Sequence, residues 1–344
     1  MDLVNHLSDR LLFAVPKKGR LHENCLDLLR GADIQFHRHN RLDIALCINH
    51  RIALVFLPAA DIPVFVGEGR VDLGITGQDQ VAESQAGVEE LMELGFGKCK
   101  LQVQVPEKGP IQEPKELIGK NIVTSFTLLA SEYFAKLEAE GARSGDDGEE
   151  RGRKEGRGGG GGREGELNLD VLEKTTPRAV SRTGKVDGIV TRIKYVGGSV
   201  EAACALGVAD GIIDLVESGE TMKAAGLKPI ATILTTGAVL IKSKHPSNPA
   251  LVKTIESRIR GVIVAKKYVL CTYNISRDKL AVATKVTPGK RAPTITQLEE
   301  EGWVSVSSMV DKSSIATVMD RLEEIGAEDI LVTQISNSRS TGGV

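Results

Sequence analysis

Short apolar runs recur along the chain, each closed by a polar or glycine-containing turn, and most lead into a segment with helical spacing. Residues 11–15 are wholly apolar and read as a buried strand; 23–30 then read as a helix stopped at Gly31. Strands are predicted at 42–48 and 52–57, a short helix at 60–67, an alternating strand within 95–105, a strand at 122–125 and a helix over 128–140. Residues 211–216 form another strand, followed by a polar loop and a helix over 221–225, with Gly226 where a left-handed cap belongs. Strands follow at 230–235 and 238–241, and 246–249 reads as a linker. Beyond it come a helix (251–265), a strand (268–274), a helix (277–284), a loop (288–293), a strand (303–309), a helix (314–325) and a last strand (330–335). That rhythm is β-α-β-β-α-β-like, the order of a ferredoxin-like α+β domain.

One pattern repeats. Gly69-Arg-Val-Asp-Leu-Gly-Ile-Thr76 returns 115 residues later as Gly184-Lys-Val-Asp-Gly-Ile-Val-Thr191, and a looser copy, Gly207-Val-Ala-Asp-Gly-Ile-Ile-Asp214, lies 23 residues further on. Each copy reads as a turn, a strand and a polar residue at the strand's C-terminal end, which makes Thr76, Thr191 and Asp214 equivalent. Repeated α/β units of this kind predict two similar lobes with a ligand cleft between them. Chance convergence of a common Gly-x-Val-Asp turn is the alternative.

The third copy carries the chemistry. Successive backbone N–H groups at the start of the helix after Val216, with the hydroxyls of Ser218 and Thr221, suit a phosphate, and Gly219 leaves room for its approach. Asp214, one loop away, suits a pair of ribose hydroxyls, so the unit fits a ribose 5-phosphate. Glu217 and Glu220 repel phosphate unless they point outward or meet a cation. A plain turn, with Asp214 and Ser218 only capping the helix, is the competing reading. In the first lobe Pro16-Lys-Lys-Gly-Arg-Leu21 is a basic turn at a strand's C-terminal end, where α/β folds hold ligands; Lys17, Lys18 and Arg20 are candidates for polyphosphate oxygens, or else form a solvated surface turn.

Composition narrows the classes. With 344 residues and 41% hydrophobic positions the chain can build two or three cores, and a net charge of -2 gives no whole-molecule attraction for nucleic acid or membranes. No signal sequence or bilayer-length apolar run is evident, so a cytoplasmic protein is expected. Cys25, Cys47, Cys99, Cys204 and Cys271 are odd in number and unpaired in spacing, which predicts reduced, mostly buried thiols. Between 141 and 165 eleven of 25 residues are glycine and six acids balance six bases, so this stretch is expected to be a disordered insertion without RNA affinity. His37 and His39 lack a third metal ligand and read as surface residues.

Six ordered motifs then carry a resemblance: Pro16-Lys-Lys-Gly-Arg-Leu21, Val71-Asp-Leu-Gly-Ile-Thr-Gly-Gln-Asp79, Gly97-Lys-Cys-Lys-Leu101, Gly198-Ser-Val-Glu-Ala202, Asp214-Leu-Val-Glu-Ser-Gly-Glu-Thr221 and Thr287-Pro-Gly-Lys-Arg-Ala-Pro-Thr294. Together they resemble the long, fungal-type ATP phosphoribosyltransferases, which open histidine biosynthesis, and the likeness spans the chain except the glycine-rich insertion. The resemblance implies phosphoribosyl transfer from phosphoribosyl pyrophosphate to N1 of ATP with Mg²⁺, and inhibition by histidine. It further implies a homohexamer of α/β chains, each with two periplasmic-binding-protein-like catalytic lobes and a ferredoxin-like regulatory domain. On this division lobe I is 1–102 with 228–244, lobe II is 103–227 including the 141–165 insertion, and the regulatory domain is 250–344. By motif, Glu217, Ser218, Gly219, Glu220 and Thr221 would hold the 5-phosphate and Asp214 the ribose. Arg20, Asp79 and Thr76 would face ATP, Lys17 and Arg20 would supply donors for catalysis, and Glu201 would lie near the metal. Asn274 and Thr294 match inhibitor-contact positions, although bacterial relatives can carry an acid where Asn274 stands. The rival reading is a non-catalytic cytosolic solute-binding or sensing module.

Overall fold

A computed structural model of the protein describes residues 7, 9–38, 42–149 and 190–339. In chain order it begins with β1 (Leu11–Pro16), α1 (His22–Gly31), β2 (Ile44–Leu46), β3 (Ile52–Leu57), α2 (Ile62–Gly67), β4 (Leu73–Gly77), α3 (Gln78–Ser84) and β5 (Glu89–Glu93). Then come β6 (Cys99–Pro106), β7 (Asn121–Thr124), α4 (Thr127–Glu149), β8 (Arg192–Tyr195), α5 (Ala202–Ala205), β9 (Gly211–Val216), α6 (Glu220–Ala224), β10 (Leu227–Thr236) and β11 (Ala238–Lys242). These strands form a six-stranded sheet, ordered β2-β3-β1-β4-β11-β5, and a five-stranded sheet, ordered β10-β6-β9-β7-β8. By contacts the chain divides into two compact units, Met1–Val81 with Ala86–Gly97 and Gly237–Val344, and Ala82–Gln85 with Lys98–Thr236.

In the first sheet β1 lies parallel to both β3 and β4, buried on both faces, which is why it is an unbroken apolar run rather than an alternation. Phe13, Leu28, Leu29, Leu54 and Leu73 fill the core beside it. On the other face α2 presses so closely on β4 that a Cβ at Gly74 would lie 2.6 Å from Ile62 Cγ2 and 3.0 Å from Val66 Cγ2. Gly74→Ala is therefore expected to cost about 1–3 kcal/mol through overpacking. A lower urea midpoint at unchanged m-value would register it.

The repeated octet marks equivalent places in the two units. Asp72, of the first copy, accepts from Leu12 N at 2.8 Å, and Asp210, of the third, accepts from Asn121 N at 2.9 Å. Each thus pins the start of the parallel strand next to its own, β1 beside β4 and β7 beside β9. Most of the second copy, 184–189, lies outside the described residues. Its last residue, Thr191, does not end a strand as expected: it precedes β8, and its hydroxyl donates to Glu138 Oε1 at 2.6 Å.

Other expectations shift. The helix predicted to stop at residue 140 continues to Glu149, because adding a turn to an existing helix costs far less than starting one; residues 150–165 of the glycine-rich stretch and His39 lie outside the described residues. The chain enters the first sheet at Ala238 rather than near Lys228, since β10 pairs antiparallel with β6 in the second sheet. The edge strand β5, with three glutamates in five residues, gave no apolar signal.

After Asn248, whose side chain accepts from Leu251 N at 3.0 Å, α7 (Pro249–Lys267) leads into β12 (Tyr268–Ser276), α8 (Leu280–Val286), β13 (Thr294–Gln297), β14 (Trp303–Asp311), α9 (Ile315–Ile325) and β15 (Glu328–Gln334). Their sheet runs β13-β14-β12-β15, the antiparallel order of a ferredoxin-like fold. Among the described residues α8 and α9 cover one face and no helix covers the other, so β12 and β14 alternate buried and half-buried residues throughout most of their length. Among the described residues no helix is long and apolar enough to cross a membrane.

Candidate active site

Asp214 is the fourth residue of β9, opposite Gln102 of β6. It is half-buried, and its Oδ1 accepts from Leu215 N at 2.8 Å. Burial pushes its carboxyl above the usual range; the bond to Leu215 opposes that and the charge of Glu201 adds to it. A carboxylate whose ionisation a neighbouring carboxylate disfavours suits a cation shared with a substrate phosphate, as one or two carboxylates commonly suffice for Mg²⁺ when phosphates complete its shell. Among the described residues no group of three His, Cys, Asp or Glu side chains could enclose a metal by itself.

Beyond Asp214 the strand ends in an exposed loop. Glu217, Ser218, Glu220 and Thr221 are exposed, and Gly219 takes the left-handed conformation at φ +81°, turning the chain into α6. Ser218 Oγ accepts from Glu220 N at 3.4 Å. The amides opening α6 have no carbonyl one turn earlier in the helix to bond. Gly226, also left-handed at φ +67°, follows the helix as the pattern predicts.

The basic turn after β1 resolves differently for each cation. Lys17 and Lys18 are exposed, and Lys17 Nζ lies 2.8 Å from Asp43 Oδ2. Arg20 is three-quarters buried: Nη1 donates to the Gly97 carbonyl and Nη2 lies 3.7 Å from Asp79 Oδ1. Asp79 is only 1% exposed. Two glycines make room for this pair. A Cβ at Gly77 would fall 2.2 Å from Asp79 Oδ1, and Gly97, at φ +65°, would bring one 2.2 Å from Leu21 Cδ2 and 3.1 Å from Arg20 Nη1. Thr76 is wholly buried and donates to the Ala59 carbonyl at 2.7 Å, so its hydroxyl shapes the loop after β3 instead of facing a ligand.

On the uncovered face of the third sheet, β12 places Asn274 opposite Ser305 of β14, while Thr294 of β13 lies opposite Ser307. Alternation puts both predicted inhibitor contacts on that face, with Thr272 Oγ1 and Ser307 Oγ 3.0 Å apart between them.

The family model described as ATP phosphoribosyltransferase matches residues 58–261, and that described as HisG, C-terminal domain matches 265–337. An ATP phosphoribosyltransferase of Yarrowia lipolytica is 60% identical over 339 residues, 98% of this chain and 100% of the relative. The chain belongs to the ATP phosphoribosyltransferase family. Proteins of the same name from Schizosaccharomyces pombe and Saccharomyces cerevisiae are 54% and 53% identical, each again covering 98% of this chain and all of the relative. An ATP phosphoribosyl transferase (HisG:HisZ) complex from Thermotoga maritima aligns at TM-score 0.53 and 19% identity over 74% of this chain and 98% of that one, a likeness of fold. As a member of the ATP phosphoribosyltransferase family the chain is a transferase of the first step of histidine biosynthesis, and the rival reading as a non-catalytic sensing module loses its support.

Within this ATP phosphoribosyltransferase fold, the motifs named Arg20 and Asp79 separately, but nothing in the sequence marked them as partners; the glycines at 77 and 97 were the available signal. Gln104, 2% exposed, was missed altogether: its Nε2 donates to the Asp214 carbonyl at 3.4 Å, bracing β9 where it carries the aspartate. The cysteines take no part. Cys25, Cys47, Cys99 and Cys271 are buried, and burial pushes the thiols of Cys47 and Cys204 up to about 11, far from a reactive thiolate.

Proposed function

We propose that the chain transfers the phosphoribosyl group of phosphoribosyl pyrophosphate to N1 of ATP, releasing pyrophosphate, with Mg²⁺ as the divalent metal. The observation that carries this reading is Asp214, half-buried in the C-terminal half of β9, with an exposed glycine-turned loop bearing two hydroxyls after the strand. The carboxylate accepts hydrogen bonds from the ribose 2- and 3-hydroxyls. The amides of 218–221, with Ser218 and Thr221, receive the 5-phosphate, while Glu217 and Glu220, both exposed, direct their charge to solvent.

Cleavage at the anomeric carbon builds positive charge on the ribose ring and negative charge on the departing pyrophosphate. Asp214, ionised, stabilises the first through the hydroxyls it holds, and Lys17, Lys18 and Arg20 are the cationic donors for anionic oxygens. Glu201 and Asp214 would hold Mg²⁺, and the ion would supply positive charge for the pyrophosphate oxygens. N1 of adenine is a weak nucleophile without a proton to lose, so alignment rather than a general base supplies much of the rate. Asp79, buried beneath Arg20, acts by fixing the guanidinium rather than by touching ATP.

The test is pyrophosphate release. Release that requires ATP, phosphoribosyl pyrophosphate and Mg²⁺ together is the expected result; none with all three present overturns the assignment. We further propose that residues 250–344 form a regulatory domain in which Asn274 and Thr294 contact histidine, and that the enzyme works in the cytoplasm as a homohexamer. What supports the regulatory part is the ferredoxin-like sheet, whose uncovered face carries hydroxyls and an amide around Asn274. Histidine inhibition that persists at saturating concentrations of both substrates is the expected outcome.

A further inference from the structure

We infer that Asp329 is the carboxylate that receives the α-ammonium of an amino-acid inhibitor on the uncovered face of the third sheet; this rests on the regulatory reading above. An amino acid held at a protein surface needs an acceptor of negative charge for its ammonium. The side chains that β12, β13 and β14 place on this face around Asn274 are hydroxyls and amides: Thr272, Asn274, Ser305, Ser307, Thr294 and Thr296. None carries charge. The strands contribute three acids to the face, Asp311, Asp329 and Glu328, which the register sets opposite Asn274; of the two in β15, Asp329 is the one whose carboxylate accepts from the Asn274 amide. Asp311 stands at the far end of β14, opposite Tyr268, and its carboxylate already accepts from Ser313 N and Oγ at 2.9 and 2.6 Å.

Asp329 is brought to Asn274 by an irregularity in the sheet. The pairing of β12 with β15 runs in step from Val269↔Gln334 to Thr272↔Leu331 and then shifts before Asn274↔Glu328. Within that shift Asp329 adopts φ +50°, a left-handed backbone that few residues other than glycine tolerate. The result is that its exposed carboxylate reaches the predicted inhibitor residue: Oδ2 accepts from Asn274 Nδ2 at 3.0 Å. Backbone strain kept at one residue of a strand, with an acidic side chain delivered to a ligand position, is the pattern expected of a binding feature. The amide of Asn274 orients one oxygen of the carboxylate and leaves the group's charge for a ligand ammonium. The acid and the amide thus stand on neighbouring strands, β15 and β12.

The experiment measures histidine inhibition of pyrophosphate release, each protein relative to its own uninhibited rate. Its second probe is imidazolelactate, in which a hydroxyl replaces the ammonium. Asparagine also tolerates the left-handed backbone, so Asp329→Asn removes the charge without forcing the strand to change. The half-inhibiting histidine concentration is expected to rise about tenfold or more in D329N, the loss of a charge-assisted hydrogen bond. The wild type should prefer histidine to imidazolelactate by a similar factor, and D329N should not discriminate. Moving the acid across the sheet, in N274D/D329N, should recover most of the histidine sensitivity. D329N with unchanged sensitivity and unchanged preference overturns the assignment of Asp329 alone. Equal loss of both inhibitors in D329N also overturns it, as the mark of a structural role. A wild type untouched by histidine overturns the regulatory reading and this inference with it.

Discussion

Asp214→Asn is expected to lower kcat/KM for phosphoribosyl pyrophosphate by about 10²–10³-fold and, at neutral pH, to raise the melting temperature. The loss follows from the proposed grip on ribose: a carboxylate accepts from two hydroxyls at once and offsets the ring's positive charge, whereas an amide presents one acceptor and no charge. The gain follows from the sign of the pKa shift. Burial, reinforced by Glu201, holds the Asp214 carboxyl above its ordinary value in the folded protein. Between the unfolded and folded values the native state binds more protons than the unfolded chain, so stability falls as pH rises through that window. Above it the ionised group is a net cost to the fold, and the amide removes that cost. Thermal melts of both proteins should therefore converge below about pH 3, where the carboxyl is protonated in either state, and separate in favour of the variant near neutrality. In the parent, kcat/KM should decline as pH falls through the raised folded value, above the range of an ordinary aspartate. A variant that is less stable at neutral pH and nearly as active would contradict both arguments.

How much of this was readable from the residues depends on which interactions are local. The strands β1 and β3 announced themselves because burial on both faces demands continuous apolar residues. The octet was visible as a repeat, yet the role of its aspartate was not: Asp72 and Asp210 find their partners, Leu12 and Asn121, 60 and 89 residues away, and only the folded sheet brings them together. Thr76 and Asp214 occupy the same place in that repeat but differ in chemistry. A hydroxyl can donate, so Thr76 satisfies itself on the Ala59 carbonyl and disappears into the core. A carboxylate cannot donate, so Asp214 has use only for donors, here one backbone amide and, as proposed, ribose. Equivalence in sequence therefore did not carry over into equivalent surroundings. Strand β5 escaped notice because its glutamates lie at an edge, where exposure erases the apolar signal.

The Arg20–Asp79 pair gives the second large effect, on stability as well as rate. Asp79 is 1% exposed, whereas a quarter of the Arg20 side chain reaches solvent, so removing one partner or the other is not symmetrical. Arg20→Met takes the arginine's charge away from a carboxylate that is 1% exposed, while donors such as Gln80 Nε2 at 3.0 Å stay; breaking a buried pair in this way is expected to cost about 3 kcal/mol. Asp79→Asn instead leaves Arg20 partly hydrated and still donating to the Gly97 carbonyl, a loss of about 1 kcal/mol. In the R20M/D79N double variant neither charge is stranded, so it should recover at least about 1 kcal/mol relative to the sum of the single changes. Rates should order differently. R20M loses the proposed donor to anionic oxygens and should fall by about 10²-fold in kcat/KM, and the double variant should fall as far despite its recovered stability, because the guanidinium is still missing. D79N, which keeps the guanidinium but loosens it, should retain most of its rate. Urea midpoints and pyrophosphate release on the four proteins separate the two roles. Equal destabilisation by R20M and D79N would show that the burial of Asp79 is not what the arginine offsets, and full activity in R20M would remove Arg20 from the catalytic assignment.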